Sequence, residues 1–164
     1  MRVPILVACL GLLATPSLHA RAPTADLHGI VTHVSDGDTL WVRLAPDQPP
    51  QKLRLRGIDA PESCQAWGAE AAAALSTRVL GRQVRVRGQM HDEHGRLLAR
   101  LWLGREDIER WMVSEGHAWS YRWQGRRGPY DAEQTRARER GVGLWTGAAV
   151  EPREFRRQHG PCAR

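Results

Sequence analysis

One short stretch, residues 52–62, constrains most strongly what this chain can fold into. Leucines and arginines alternate along its first half, which is the pattern of a strand with one buried face and one solvated face. We predict a strand from Lys52 to Ile58. The strand should end before Pro61, because proline has no amide donor and holds the preceding residue extended.

Two carboxylates, Asp59 and Glu62, lie at the end of this strand. A carboxylate close to a core is costly unless it is paired or binds a metal. Taken alone, Asp59 could simply form a surface ion pair with Arg54, since structural ion pairs are common. These residues by themselves therefore leave a structural and a functional interpretation open.

A second acidic stretch, residues 36–39, reads Asp-Gly-Asp-Thr. Asp-Gly is a common turn pair, so these residues alone are typical of a hairpin turn. The functional interpretation is a site for a hard cation. Two acidic strand ends that meet at one end of a barrel would supply the several oxygen ligands that calcium prefers.

The 164-residue chain is basic, with 24 lysines and arginines against 18 acidic residues and a formal net charge of +6. Lys52 is the only lysine. Arginine forks match phosphate oxygens, so a polyanion such as nucleic acid is an expected partner. A GC-rich genome would explain the arginine excess equally well without any function.

Residues 1–20 have the features of a secretory signal, namely a positive start, an apolar run and a cleavage site at Ala20. The run is too short to span a membrane, so we expect a periplasmic or secreted protein without a membrane anchor. Removal of this leader would remove Cys9. The remaining pair, Cys64 and Cys162, suggests a disulfide in an oxidising compartment, with two free thiols as the alternative.

The rest of the pattern predicts five short strands, with one helix between the third and the fourth and two helices after the fifth. This order fits an α+β fold built on a five-stranded β-barrel of the OB type with about three helices. The predicted strands are residues 28–34, 39–44, 52–58, 83–87 and 97–103, and the predicted helices are residues 65–80, 105–115 and 130–140. One domain, residues 21–150, precedes a basic tail, residues 151–164, that is anchored only if Cys162 is bridged. Nothing in the pattern indicates more than a monomer.

Residues 91–96 read His-Asp-Glu-His-Gly-Arg. The spacing does not match the zinc motif His-Glu-x-x-His, and no further ligand cluster supports a zinc site, so we expect a solvated hairpin tip. Arg96 begins a strand that continues with Leu97 and Leu98, which should hold its side chain near the barrel.

Together these motifs resemble the staphylococcal nuclease (thermonuclease) family, and its exported bacterial members in particular. The segments that carry the resemblance, in the family's order and approximate spacing, are Asp36-Gly37-Asp38-Thr39, Arg54 to Glu62, Asp92-x-x-Gly95-Arg96-x-Leu98-Ala99, Gly116-x-Ala118 and Gly141-x-Gly143-Leu144-Trp145. The resemblance covers about residues 30–145 and identifies residues 21–150 as a domain of this type.

The resemblance implies one bound calcium ion. Its protein ligands would be the carboxylates of Asp38 and Asp59 and the main-chain carbonyl of Ala60. The type member of the family has threonine at this last position, and alanine should serve equally well if only the carbonyl binds.

The resemblance also implies the catalytic residues. Glu62 would act as general base on a water molecule, and Arg54 and Arg96 would hold the scissile phosphate. This assignment agrees with the chemistry, because phosphodiester hydrolysis is slow in water and needs strong stabilisation of the negative charge that develops at phosphorus.

Three further residues are expected to contact the substrate. His94 stands where the type member has a tyrosine that contacts the base, and imidazole would stack more weakly. Tyr121 and Arg122 lie near the region that lines the family's substrate groove, and aromatics next to arginine suit stacking and phosphate contact. We expect that at least one of Trp119 and Tyr121 belongs to the core. The Cys64–Cys162 bridge would fix the loop beside Glu62, so its reduction should lower both activity and stability.

The leading hypothesis is an exported, calcium-dependent nuclease that cleaves DNA and RNA with little sequence specificity. The alternative is a nucleic-acid-binding OB-type module that has lost catalysis. Degenerate copies should lack one or more of the charged groups, yet all five are present, namely Asp38, Arg54, Asp59, Glu62 and Arg96. A third hypothesis, a basic structural or adhesive protein, explains the charge but not the position of the acids.

Overall fold

A computed structural model of the protein describes residues 26–122 and 124–162. The predicted leader, residues 1–20, lies outside this part. The described residues form eight strands, four α-helices and one 3-10 helix. The strands are β1 (Leu27–Val34), β2 (Thr39–Arg43), β3 (Gln51–Leu55), β4 (Ile58–Asp59), β5 (Gln83–His91), β6 (Leu97–Leu103), β7 (Glu106–Asp107) and β8 (Trp119–Ser120). The helices are α1 (Gly68–Val79), α2 (Ile108–Ser114), α3 (Asp131–Arg140) and α4 (Pro152–His159), and the 3-10 helix spans Gly143–Thr146.

Five of these strands close into a barrel. The order is β3-β2-β1-β5-β6, and β3 pairs in parallel with β6 to close the sheet on itself. The other neighbours are antiparallel. Inward-facing aliphatic residues from these strands share one hydrophobic core with α1 and α2. The predicted α+β fold with a five-stranded barrel of the OB type is therefore confirmed.

The third strand differs from its prediction. It ends at Leu55, and Arg56-Gly57 forms a turn before the short strand β4. Gly57 has φ 80°, a left-handed conformation that glycine adopts without steric cost. β4 then pairs with β8 and not with the barrel, so the predicted single strand over residues 52–58 is wrong. The turn brings Arg54, at the end of β3, and Asp59, in β4, to the same end of the barrel.

The first three helices follow their predictions with shifted boundaries. α1 buries Ala71, Leu75 and Val79, which recur at helical spacing along its inner face. α2 begins three residues later than predicted, because the side chain of Asp107 accepts the backbone N–H of Arg110 and so caps the helix there.

Residues 152–159 of the predicted tail form a helix, so the prediction of about three helices is one too low for the described residues. α4 begins at Pro152, which is buried and occupies the first turn, where a missing amide donor costs nothing. The predicted disulfide is present and joins Cys64 to Cys162, 98 residues apart. Among the described helices, none has the length and apolar character needed to cross a membrane.

Candidate active site

The first part of the site is the turn between β1 and β2. Gly37 is closely packed there, since a Cβ atom at this position would lie 2.7 Å from the Cβ of Ala60 and 2.9 Å from that of Ala71. The absence of a side chain therefore allows the turn to pack against the segment after β4 and against α1. This packing places the carboxylate of Asp38 next to Ala60, whose backbone N–H donates to Asp38 Oδ2 at 2.7 Å.

Arg54 joins the two predicted metal-binding carboxylates. Its guanidinium donates from Nη1 to Asp38 Oδ1 and from Nη2 to Asp59 Oδ1, the latter at 2.7 Å. Asp38 is 1% exposed and Asp59 is 5% exposed. Burial raises the pKa of Asp38 well above its usual range, and the charge of Arg54 opposes this rise. The structure thus brings together three residues that the sequence places 16 and 5 positions apart.

Glu62 lies in the loop that follows β4, and its side chain is half-buried. The loop is held locally, because the backbone N–H of Glu62 donates to Gln65 Oε1 at 3.1 Å. The Glu62 carboxylate is bound by a residue that the sequence analysis missed. Arg156 in α4 donates from Nη1 to Glu62 Oε1 at 2.5 Å and from Nη2 to Asp59 Oδ2 at 3.2 Å.

Arg96 does not contact the cluster of Asp38, Arg54 and Asp59. Its guanidinium donates to Asp92 Oδ2 at 2.7 Å. Burial would raise the pKa of Asp92, but hydrogen bonds from the backbone and the guanidinium of Arg96 lower it. Arg96 lies two residues before Leu98, which is the register partner of Arg54 in the pair that closes the barrel. Arg54 therefore lies in this strand pair, and Arg96 immediately precedes β6.

The predicted substrate-contacting residues lie at the surface. His94 has a side chain that is 66% exposed, at the tip of the turn between β5 and β6. Tyr121 is exposed as well, and its backbone N–H donates to the carbonyl oxygen of Gly57. The exposed guanidinium of Arg122 lies 3.6 Å from Asp131. Trp119 is buried, which confirms that one of the two aromatics belongs to the core.

The described residues offer oxygen donors for a hard cation but do not form a complete set of side-chain ligands. Among the described residues, no three His, Cys, Asp or Glu side chains lie close enough together to hold an ion. The available donors are the paired carboxylates of Asp38 and Asp59 and the carbonyl of Ala60. Water or substrate would fill the remaining coordination positions of a bound ion. This donor set fits a hard divalent cation, because buried carboxylates are stabilised by a cation that shares them.

Comparison with known families identifies the chain. The family model described as staphylococcal nuclease homologue matches residues 52–147, which is more than half of the sequence. The chain belongs to the staphylococcal nuclease family. The protein is thus a nuclease, an enzyme that hydrolyses phosphodiester bonds.

Individual relatives resemble this nuclease over most of their length. Protein ParB of Escherichia coli is 39% identical over 148 residues, which cover 82% of this chain and 81% of that protein. A micrococcal nuclease of Shigella flexneri is 35% identical over 147 residues, with coverage of 81% and 82%. An uncharacterized endonuclease of Haemophilus influenzae is 36% identical over 129 residues, with coverage of 78% and 72%.

Proposed function

We propose that this nuclease hydrolyses DNA and RNA with little sequence specificity and that calcium supports the reaction. The observation that carries the proposal is the buried pair of carboxylates, Asp38 and Asp59, joined by Arg54 at one end of the barrel with Glu62 beside them. Two buried carboxylates beside a third acid supply the hard oxygen ligands and the base that metal-assisted hydrolysis uses.

Asp38, Asp59 and the carbonyl of Ala60 would hold the calcium ion. When bound, the ion would stabilise the negative charge that develops at phosphorus. Arg54 would hold the scissile phosphate through its two-pronged guanidinium, and Arg96 would bind a second oxygen of the same group. Glu62 would take a proton from the attacking water and would position that water in line with the bond that breaks.

Low sequence specificity follows from the kind of contacts proposed. Arginines and a metal bind phosphate groups, which are the same at every position of a nucleic acid. His94 and Tyr121 would stack on bases, and stacking tolerates any base because every base has an aromatic face. Arg122 would contact a neighbouring phosphate.

We also propose that residues 1–20 direct export to the periplasm or the exterior, that residues 21–150 form the nuclease domain, and that the enzyme acts as a monomer. The Cys64–Cys162 bridge supports export, since disulfides persist in oxidising compartments.

The test compares the wild-type protein with Glu62→Gln on single-stranded DNA and on RNA, with calcium or with a chelator. We expect calcium-dependent degradation of both substrates, and a loss of about 10²- to 10⁴-fold in kcat for Glu62→Gln. Glu70→Gln, which alters an exposed glutamate on α1, is the matched control and should retain full activity. Binding without cleavage under every condition would favour the non-catalytic OB-type module, and cleavage that survives chelation would rule out the calcium requirement.

A further inference from the structure

Arg156 contacts two acids of the proposed machinery from a part of the chain that the family model does not cover. The match ends at residue 147, and α4 lies beyond it. The Arg156 side chain is 37% exposed and its guanidinium spans Glu62 and Asp59, at 2.5 Å and 3.2 Å. Arg156 Nη1 also lies 3.5 Å from Asp59 Oδ1. This guanidinium thus contacts both oxygens of the Asp59 carboxylate.

α4 is anchored on both sides to the loop that carries Glu62. Before the helix, the side chain of Gln65 donates to the carbonyl oxygen of Val150 at 2.6 Å. After the helix, Cys162 is bonded to Cys64, two residues beyond Glu62. These two attachments hold α4 beside the loop, with Arg156 at the carboxylates.

A guanidinium in this position opposes metal binding in two ways. Its N–H groups occupy lone pairs of the Asp59 carboxylate that a cation would use. Its positive charge also repels a divalent ion that binds within a few ångströms, an effect that is large where the site is partly shielded from water. Arg54 exerts a similar effect, but it is also proposed to hold the phosphate, whereas Arg156 engages the metal ligand and the base.

We propose that Arg156 is a built-in competitor of calcium at Asp59, and that the Cys64–Cys162 bridge holds it there. Arg156 thereby sets the calcium concentration at which the nuclease becomes active. The inference rests on the proposed function, because it assumes that Asp59 binds calcium.

The test measures calcium binding to the purified, oxidised protein by calorimetry, and nuclease activity across a calcium titration. Arg156→Gln should lower the calcium Kd by about three- to tenfold, because one nearby positive charge is removed. Its activity should rise at limiting calcium and stay within about twofold of the wild-type value at saturation. Arg157→Gln is the matched control, since it removes the same charge from the same helix turn at an exposed residue paired with Glu154, and it should leave the Kd unchanged.

A second variant tests the anchor. Cys64→Ser combined with Cys162→Ser should lower the calcium Kd in the same direction as Arg156→Gln, measured at a temperature where the variant is folded. If the bridge instead supports activity by fixing the Glu62 loop, as the sequence analysis expects, this variant should be less active than the wild type at limiting calcium.

The outcomes separate the two proposals. Calcium binding that is equal in wild type and Arg156→Gln would overturn the competitor role alone and leave the proposed function intact. A loss of activity in Arg156→Gln at saturating calcium, as a phosphate ligand would show, would also overturn it. No calcium binding in any variant would overturn the competitor and the calcium requirement together.

Discussion

Two clusters of arginine and carboxylate lie on the same barrel and differ in how their acids are satisfied. The mouth cluster consists of Asp38, Arg54, Asp59, Glu62 and Arg156. The α2 cluster consists of Arg100, Asp107, Glu109 and Tyr130. From sequence, both would count as charged residues next to core strands. Only the residues that each cluster contacts in the folded protein distinguish the mouth cluster, a candidate active site, from the α2 cluster, which is structural.

In the α2 cluster, each acid has a local partner. Arg100 donates to Asp107 and to the hydroxyl of Tyr130, and Asp107 caps α2 through the N–H of Arg110. Glu109 is fully buried, and burial raises the pKa of its carboxyl well above its usual range, which favours the neutral form. Arg100 and Asp107 therefore balance each other's charge, and the Glu109 carboxyl is satisfied by the backbone N–H of Leu101.

In the mouth cluster, three acids face two arginines, and Arg156 comes from a helix 94 residues beyond Glu62. The acids belong to a turn, a short strand and a loop that only the closed barrel brings together. An excess of buried acid is costly unless one carboxyl is protonated or a further cation lies nearby. Each cluster has one more acid than arginine, so what distinguishes the candidate active site is that its acids come from three separate segments and that one of their partners, Arg156, is distant in sequence.

The sharpest test of this comparison replaces the central arginine of each cluster by lysine. Arg54→Lys should lower kcat about 10²- to 10³-fold, because lysine keeps the charge but cannot bind two phosphate oxygens as a fork. Arg100→Lys should keep activity within about twofold. Both are measured by steady-state cleavage of single-stranded DNA at saturating calcium. Equal losses would show that the two clusters do not divide into functional and structural.

A smaller effect is expected when the α2 cluster loses Asp107, one of its two acids. Asp107→Ala removes the cap of α2 and the charged partner of Arg100, so the free energy of unfolding should fall by about 2–3 kcal/mol. Chemical denaturation measures this change. Activity per folded molecule should not change, and a specific loss of kcat would contradict a purely structural role for this cluster.

The smallest effect concerns His117, which links the two regions. Trp67, next to the Glu62 loop, donates its indole N–H to His117 Nδ1 at 3.3 Å, and the His117 ring also lies near Trp111 of α2. Burial lowers the pKa of His117 below its ordinary value of 6.5, so the folded protein favours the neutral ring.

The direction in which His117 changes stability with pH follows from proton linkage. The unfolded chain takes up the proton first, so this contribution to stability is present above about pH 6.5 and is lost as the pH falls through and below that value. His117→Gln should flatten this part of the pH dependence, measured by thermal unfolding between pH 5 and pH 8. An unchanged profile would mean that another group is responsible.

Local pattern determined much of this protein. The alternation in residues 52–55, the Asp-Gly turn at Gly37 and the alanine-rich helix before Gly81 depend on neighbours in sequence, so the barrel and the candidate acids could be predicted. The pair Cys64 and Cys162 could be predicted as well, because removal of the predicted leader leaves two cysteines, and an even number in a chain expected to be exported indicates a bridge.

Long-range packing decided the break in the third strand, the fourth helix and the position of Arg156. The break at Gly57 depends on β4 finding β8, some 60 residues away, and no local signal marks it apart from the glycine itself. The tail has no apolar stripe that would predict α4, and the position of Arg156 depends on anchors to Val150 and Cys162 that form only after the barrel closes. The sequence therefore indicated the acids and Arg54 at the end of the barrel, but it did not show that Arg96 pairs with Asp92 instead. Only the tertiary structure showed that a distant arginine lies against two of the acids, because that contact joins segments with no shared local pattern.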